Sequence, residues 1–286
     1  MSNVLSNARH FILTHARLLE RRLLEVRFAN ASPASVAQAV RAYRNTDGGL
    51  GHALEPDLRC PDSQPLFVEV GLAALCEAGC RDPELALSVC PFLESVSDER
   101  GLVSPILETV FRSPHASHWS RSSLAPDLNP TAGICGLLHY QGIQHPWLSR
   151  ATETCCAMLT TDPPLEAHTL LGASRLADHM PNRTLANRLF DAIASALPRA
   201  RFFIPEAPTQ GYGLTPLHFA PDPSSTWRAL FSEAQIDGHL QELADRQQPD
   251  GGWPISWDAP GPAAVLEWRG RGTLDAVCRL AAYGRI

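Results

Sequence analysis

Apolar side chains recur at helical spacing along most of the chain. Over residues 3–29, Phe11, Leu13, Leu18, Leu19, Leu23, Leu24 and Phe28 share one face and arginines the other, which predicts an amphipathic opening helix. A second helix is predicted over 33–45, with Ser32 as N-cap and Pro33 in the first helical position, where its missing N–H costs nothing. Further helical stretches follow at 65–78, 83–95, 130–140, 147–159, 164–178, 183–197, 233–247 and 261–282. Short clusters such as Asp162-Pro163-Pro164 and Pro221-Asp222-Pro223 separate them and read as inter-helix loops. No alternating β-branched run is long enough to propose a core sheet, so the pattern predicts an all-α chain.

One unit of this pattern repeats. Thr46-Asp47-Gly48-Gly49-Leu50-Gly51-His52 is a tight glycine-rich turn, followed by a polar loop from Glu55 to Ser63 and then the apolar helix 65–78. Near the other end, helix 233–247 runs into Asp250-Gly251-Gly252-Trp253, and the loop Ser256-Trp257-Asp258-Ala259-Pro260 leads to helix 261–282. A weaker echo is Asp98-Glu99-Arg100-Gly101-Leu102. Self-similarity at a period of roughly 40–50 residues is the mark of stacked helix pairs, each burying its face on its neighbours. No linker divides the sequence, so the expectation is one domain over 1–286: a ring of helix pairs, in an inner and an outer layer, around a central cavity. An open superhelix is the competing architecture, but its loops are usually short and lack Gly-Gly-Trp turns.

The run Leu243-Ala244-Asp245-Arg246-Gln247-Gln248-Pro249-Asp250-Gly251-Gly252-Trp253 resembles the Gln…Gly-x-Trp repeat of squalene and oxidosqualene cyclases and of protein prenyltransferase β subunits. Arg44-Asn45-Thr46-Asp47-Gly48-Gly49-Leu50-Gly51 resembles a degenerate copy. The resemblance implies an α/α toroid over most of the chain, with Gln247 or Gln248 capping a helix while stacking on Trp253. The chain departs from the better-known members in having neither an Asp-x-Asp-Asp acid motif nor an Asp-Asp-x-x-Asp motif. The zinc ligands of the prenyltransferases find no counterpart either. Those catalytic centres therefore do not carry over, and function has to be argued from a site.

Composition narrows the partners. A formal charge of −6 gives no electrostatic footprint for nucleic acid, and all 24 basic residues are arginine. No stretch of about 18 apolar residues can span a bilayer, and Arg9, Arg17, Arg21, Arg22 and Arg27 interrupt any signal-peptide core. No transmembrane segment and a cytoplasmic location are expected. The eight cysteines lie mostly in apolar runs without Cys-x-x-Cys pairs, which reads as buried thiols. No cofactor is required by the sequence, a divalent metal stays compatible with it, and the oligomeric state is open.

In such a ring the inner helices begin just after the long polar loops, so those loops and helix N-termini line one mouth. This geometry nominates Glu55, Asp57 and Asp62 as catalytic acids and His168 as a base. It nominates His52, Asp127, Asn129, Glu166, Tyr212, Trp227, Trp257, Glu267, Trp268 and Arg269 as substrate-binding residues. Crowded carboxylates raise one another's pKa, and one kept protonated in an apolar cavity can protonate an alkene or epoxide. The bland role for Glu55 and Asp57 is to cap helix 65–78 and pair with Arg59. Ring faces beside a cavity stabilise carbocations or stack on sugars, and the long segment 205–227 reads as a cover. The leading expectation is a terpene cyclase-like or prenyltransferase-like enzyme acting on an isoprenoid or similar apolar small molecule by carboxylic-acid general acid catalysis. A glycan hydrolase, lyase or epimerase, with facing acids such as Glu55 and Glu267, is one alternative. A non-catalytic ligand- or peptide-binding scaffold is the other.

Overall fold

A computed structural model describes residues 3–286. The helices are α1 (Asn3–His15), α2 (Leu18–Ala29), α3 (Ala34–Arg41), α4 (Pro65–Glu77), α5 (Pro83–Ser88), α6 (Cys90–Ser95), α7 (Leu128–Tyr140), α8 (Pro146–Thr161), α9 (Ala167–His179), α10 (Arg183–Ala196), α11 (Pro216–Phe219), α12 (Glu233–Asp245) and α13 (Pro262–Ala282). Among the described residues no β-strand forms, and extended backbone pairs only in isolated bridges. The chain is all-α. Among the described residues no helix is long and apolar enough to cross a membrane.

Two compact units divide the chain, a continuous one over Pro33–Arg201 and a discontinuous one that joins Phe202–Ile286 to the first 32 residues. In the continuous unit α7 is apolar on nearly every face and accordingly buried, packed between α4 and α9 with α8 alongside. Its core includes Phe67, Leu72, Leu75, Ile134, Leu138, Leu170 and Leu176, all at most 1% exposed. In the discontinuous unit α13 is the spine against which α1, α2 and α12 lie, around Phe11, Ile12, Leu240, Leu274 and Val277.

The glycine-rich turn recurs three times with one hydrogen-bond pattern. Asn45 N–H donates to Gly49 O (2.9 Å) and Gly48 N–H to Asn45 O (3.1 Å). The equivalents are Asp98 to Leu102 (2.9 Å) with Gly101 to Asp98 (2.9 Å), and Gln248 to Gly252 (2.8 Å) with Gly251 to Gln248 (2.8 Å). An aspartate ties each turn from within: Asp47, Asp98 and Asp250 accept the N–H of Gly49, Leu102 and Gly252. Gly48, Gly101 and Gly251 all sit at φ of 88–90°, where a side chain is strained. Gly48 and Gly251 also lie so near other backbone that a Cβ would stand 2.3 Å from Ser88 O and from Asn7 O respectively. The capping expected of a glutamine is done by the tryptophan: Trp253 Nε1 donates to Leu243 O in the last turn of α12 (2.8 Å). Because α12 ends at Asp245, Gln247 already belongs to the turn, and its amide bridges Gly251 O and Val4 O (3.0 Å each).

Several helix limits differ from the periodicity for local reasons. The stretch 3–29 is two helices, broken where Arg17 is extended and Ala16 packs against Gly270, a Cβ at which would lie 2.5 Å from that of Ala16. Helix 83–95 is likewise two, because Pro91 has no N–H to continue the ladder. Helix 33–45 ends at Arg41, whose guanidinium grips Asp82 (2.8 Å), the N-cap of α5. Helix 164–178 starts only at Ala167, since Glu166 is its cap rather than its second residue. Segment 205–227 contains the short α11, entered through a Thr215/His218 capping box.

Candidate acid–base centre

Helix α4 ends in Glu77 and carries one further acid, Glu69, inside an otherwise apolar run from Pro65 to Leu75. A lone buried carboxylate is costly and needs a partner. Arg175 on α9 supplies it, Nη1 donating to Glu69 Oε1 at 2.6 Å. Gly133 on α7 makes the room: a Cβ there would stand 2.1 Å from Glu69 Oε1. Burial pushes the Glu69 carboxyl up, Arg175 and then His168 pull it partly back, and the net position is above the ordinary range.

At the start of α9, Glu166 accepts from the backbone N–H of His168 (3.2 Å) and Thr169 (2.8 Å), from the Thr169 hydroxyl (2.9 Å) and from His168 Nδ1 (2.6 Å). Burial pushes this carboxyl up too, but the imidazole and the two backbone donors outweigh it and bring it down to about 2. An ionised carboxylate only accepts, so His168 Nδ1 carries the hydrogen of this bond. The two side chains are 28% and 30% exposed, so the dyad reaches solvent. Two carboxyls driven in opposite directions, one above its usual range and one ionised beside an imidazole, form an acid–base arrangement. Burial favours the protonated form of Glu69, and Glu166 orients the His168 imidazole.

The first loop forms a second group in the same unit. Leu54, Glu55, Pro56, Asp57 and Leu58 are all buried, although they lie between a turn and a helix. The loop enters through His52 and Ala53, both left-handed at φ 57° and 59°, a conformation that concentrates at functional sites. Segment 114–118 covers it: Arg59 N–H donates to Pro114 O and Ala116 N–H to Asp57 O (2.9 Å each), and His118 Nε2 stands 3.8 Å from Asp57 Oδ2. Burial lowers the His118 pKa against the opposing pull of Asp57. Helix α4 is entered from Gln64, whose amide instead holds Leu107 N–H (2.6 Å) and Thr109 Oγ1 (2.9 Å).

His52 and Asp62 are exposed, and Asp127 caps α7 through Leu128 N–H (2.7 Å), with Asn129 at the kink that follows. Tyr212, Trp257 and Trp268 form a connected row in the discontinuous unit, with Glu267 half-buried beside Trp268 in sequence. Trp227 is 2% exposed and belongs to the core there. Arg269 is engaged in the repeat turn, paired with Asp250 (2.8 Å), donating to Trp253 O (3.2 Å) and lying over the Phe11 ring.

Glu69 and Arg175 are the residues that sequence reasoning passed over. The available signal was a single glutamate inside an apolar helix, which announces a buried partner without naming it. All eight cysteines are free thiols, six of them buried. Among the described residues no three His, Cys, Asp or Glu side chains converge as a metal site.

No family model matches the chain, and no curated protein does. The chain is similar to a crystal structure of a protein from Actinoplanes, with a TM-score of 0.57 at 14% identity over 99% of each chain. At that identity the likeness is one of fold.

Proposed function

We propose that the protein is an enzyme whose proton-transfer centre is the Glu69–Arg175–His168–Glu166 cluster on α4 and α9, acting on an isoprenoid or similarly apolar small molecule by carboxylic-acid general acid catalysis. The observation that carries the reaction type is His168, 30% exposed and held 2.6 Å from Glu166, with a second carboxyl, raised by burial, reaching the same helix α9 from α4 through Arg175. The substrate class is supported by the resemblance of the Gly-Gly-Trp turn to cyclase and prenyltransferase repeats. The three-fold recurrence of the turn's hydrogen bonds strengthens that resemblance. Glu55 and Asp57 serve in this reading as the buried floor under segment 114–118.

The test is thermal-shift and native mass spectrometry against prenyl diphosphates, squalene-like polyenes and neutral oligosaccharides, followed by turnover of whichever binds. An isoprenoid should bind, and His168→Gln and Glu69→Gln should each cut turnover by about 10²–10⁴, the usual worth of a general acid or base, while the ligand still binds. Turnover that survives both substitutions sinks the proposed centre. Absence of isoprenoid binding overturns the substrate class, turnover of an oligosaccharide that is lost in His168→Gln replaces it with glycans, and silence from every ligand favours the scaffold alternative.

A further inference from the structure

The discontinuous unit, built from the first 32 residues and Phe202–Ile286, bears a row of aromatic rings on its surface. Phe202 meets Tyr212 edge to face at 6.1 Å, Tyr212 meets Trp257 at 5.7 Å, and Trp257 meets Trp268 at 5.2 Å. Tyr212 is 47% and Phe202 42% exposed, and both tryptophans are half-buried. Packing alone does not account for this arrangement. Phe202 stands at φ 60°, a left-handed conformation that bulky residues avoid. Leu214 N–H donates to Phe202 O (2.7 Å) and Ile204 N–H to Leu214 O (2.8 Å), so the backbone on either side clamps an exposed ring in a strained pose. Strain of this kind persists where the surrounding structure overdetermines it, and it gathers at ligand sites.

Next to this row in sequence, on the 248–255 segment and on α13, lies an open, shallow groove of about 510 Å³, lined by residues that include Gln248, Asp250, Pro254, Ile255, Val265 and Arg269 and by none of the four rings. Pro254 and Ile255 precede Trp257, and Val265 lies one turn before Trp268 on α13. Arg269 and Asp250 form an ion pair at 2.8 Å, so the lining offers planar donors and acceptors with their charges already matched. Ring faces favour flat, weakly polar C–H surfaces. Paired planar polar side chains favour neighbouring hydroxyl groups. An isoprenoid would satisfy the rings and leave Asp250, Arg269 and Gln248 facing hydrocarbon. A charged ligand would meet a pair that is already neutralised.

We propose that the Phe202–Tyr212–Trp257–Trp268 row and the adjoining groove bind a neutral oligosaccharide. This site does not rest on the acid–base reading, and either can fail without the other.

The experiment titrates the full chain with neutral hexasaccharides of the cello, xylo, malto and chito series, read by intrinsic tryptophan fluorescence and calorimetry. A galacturonic acid hexamer serves as the charged control. At least one neutral sugar should bind saturably and more tightly than the charged one. Tyr212→Ala and Trp257→Ala should each weaken that binding by about tenfold, the equivalent of roughly 1.4 kcal/mol, with the melting temperature preserved. Tyr212 is exposed enough that its replacement keeps the test open even if Trp257→Ala misfolds. No saturable binding by any neutral sugar, preference for the charged one, or binding unchanged in the variants would each overturn the proposal.

Discussion

Replacing Glu166 by glutamine removes the ionic half of the α9 dyad without emptying its space. The wild-type carboxyl falls to about 2 in the folded chain from an ordinary 4.5. At about 1.4 kcal/mol per pKa unit that is an upper figure of roughly 3 kcal/mol. The side chain is 28% exposed, so solvent screening reduces the expected share to about 2 kcal/mol at pH 7. A depressed folded-state pKa means that this stability is present above the unfolded value and lost as pH falls toward the folded one. The window is therefore about pH 5 down to about pH 2. Glutamine does not titrate, so the gap between wild type and Glu166→Gln should narrow from about 2 kcal/mol at pH 7 to under about 1 kcal/mol at pH 3. Urea unfolding followed by far-UV circular dichroism at the two pH values measures it. A gap of the same size at both would show that the loss is one of cap geometry, and the charge argument for the dyad would be refuted.

The repeat turn and the helix crossing make separate demands. Trp253→Ala should cost about 3–5 kcal/mol, the usual loss for a buried large aromatic, because the ring is 4% exposed and its N–H holds Leu243 O. Unchanged urea stability would deny that turn its structural role. Gly133→Ala places a methyl 2.1 Å from Glu69 Oε1 and should destabilise by about 1–3 kcal/mol or more. A melting temperature equal to wild type would contradict the close approach of α4, α7 and α9.

Much of the helical skeleton was legible from the spacing of apolar residues, although several of its ends were not. Asp127 and Asn182 cap helices as their residue types suggest, and the Asp-Gly-Gly turns have the geometry their glycines demand. The faint echo at Asp98 proved to share both backbone hydrogen bonds of the turn, although it has one glycine rather than two and its aspartate stands at the first position of the turn. What stayed hidden depends on partners distant in sequence. The apolar stripe runs unbroken past Ala16, and only its contact with Gly270 shows why the helix must bend there. Glu166 was nominated by position, yet its bond to His168 follows from the cap, which draws both side chains to one spot. Glu69 could not be joined to Arg175 from sequence, since nothing local links residues 106 apart. The first loop's acids were visible, but their burial beneath segment 114–118 was not.

The turn at 248–252 fastens onto the first helix through Gly251 and Gln247. On the ribosome this imposes an order. The apolar face of residues 3–15 finds its main partner in α13, which is made only after the whole of Pro33–Arg201 has been synthesised. At ordinary elongation rates of about 5–20 residues per second the delay is on the order of ten seconds or more. Through that interval α1 has α2 beside it but lacks α13, the helix that covers most of its apolar face.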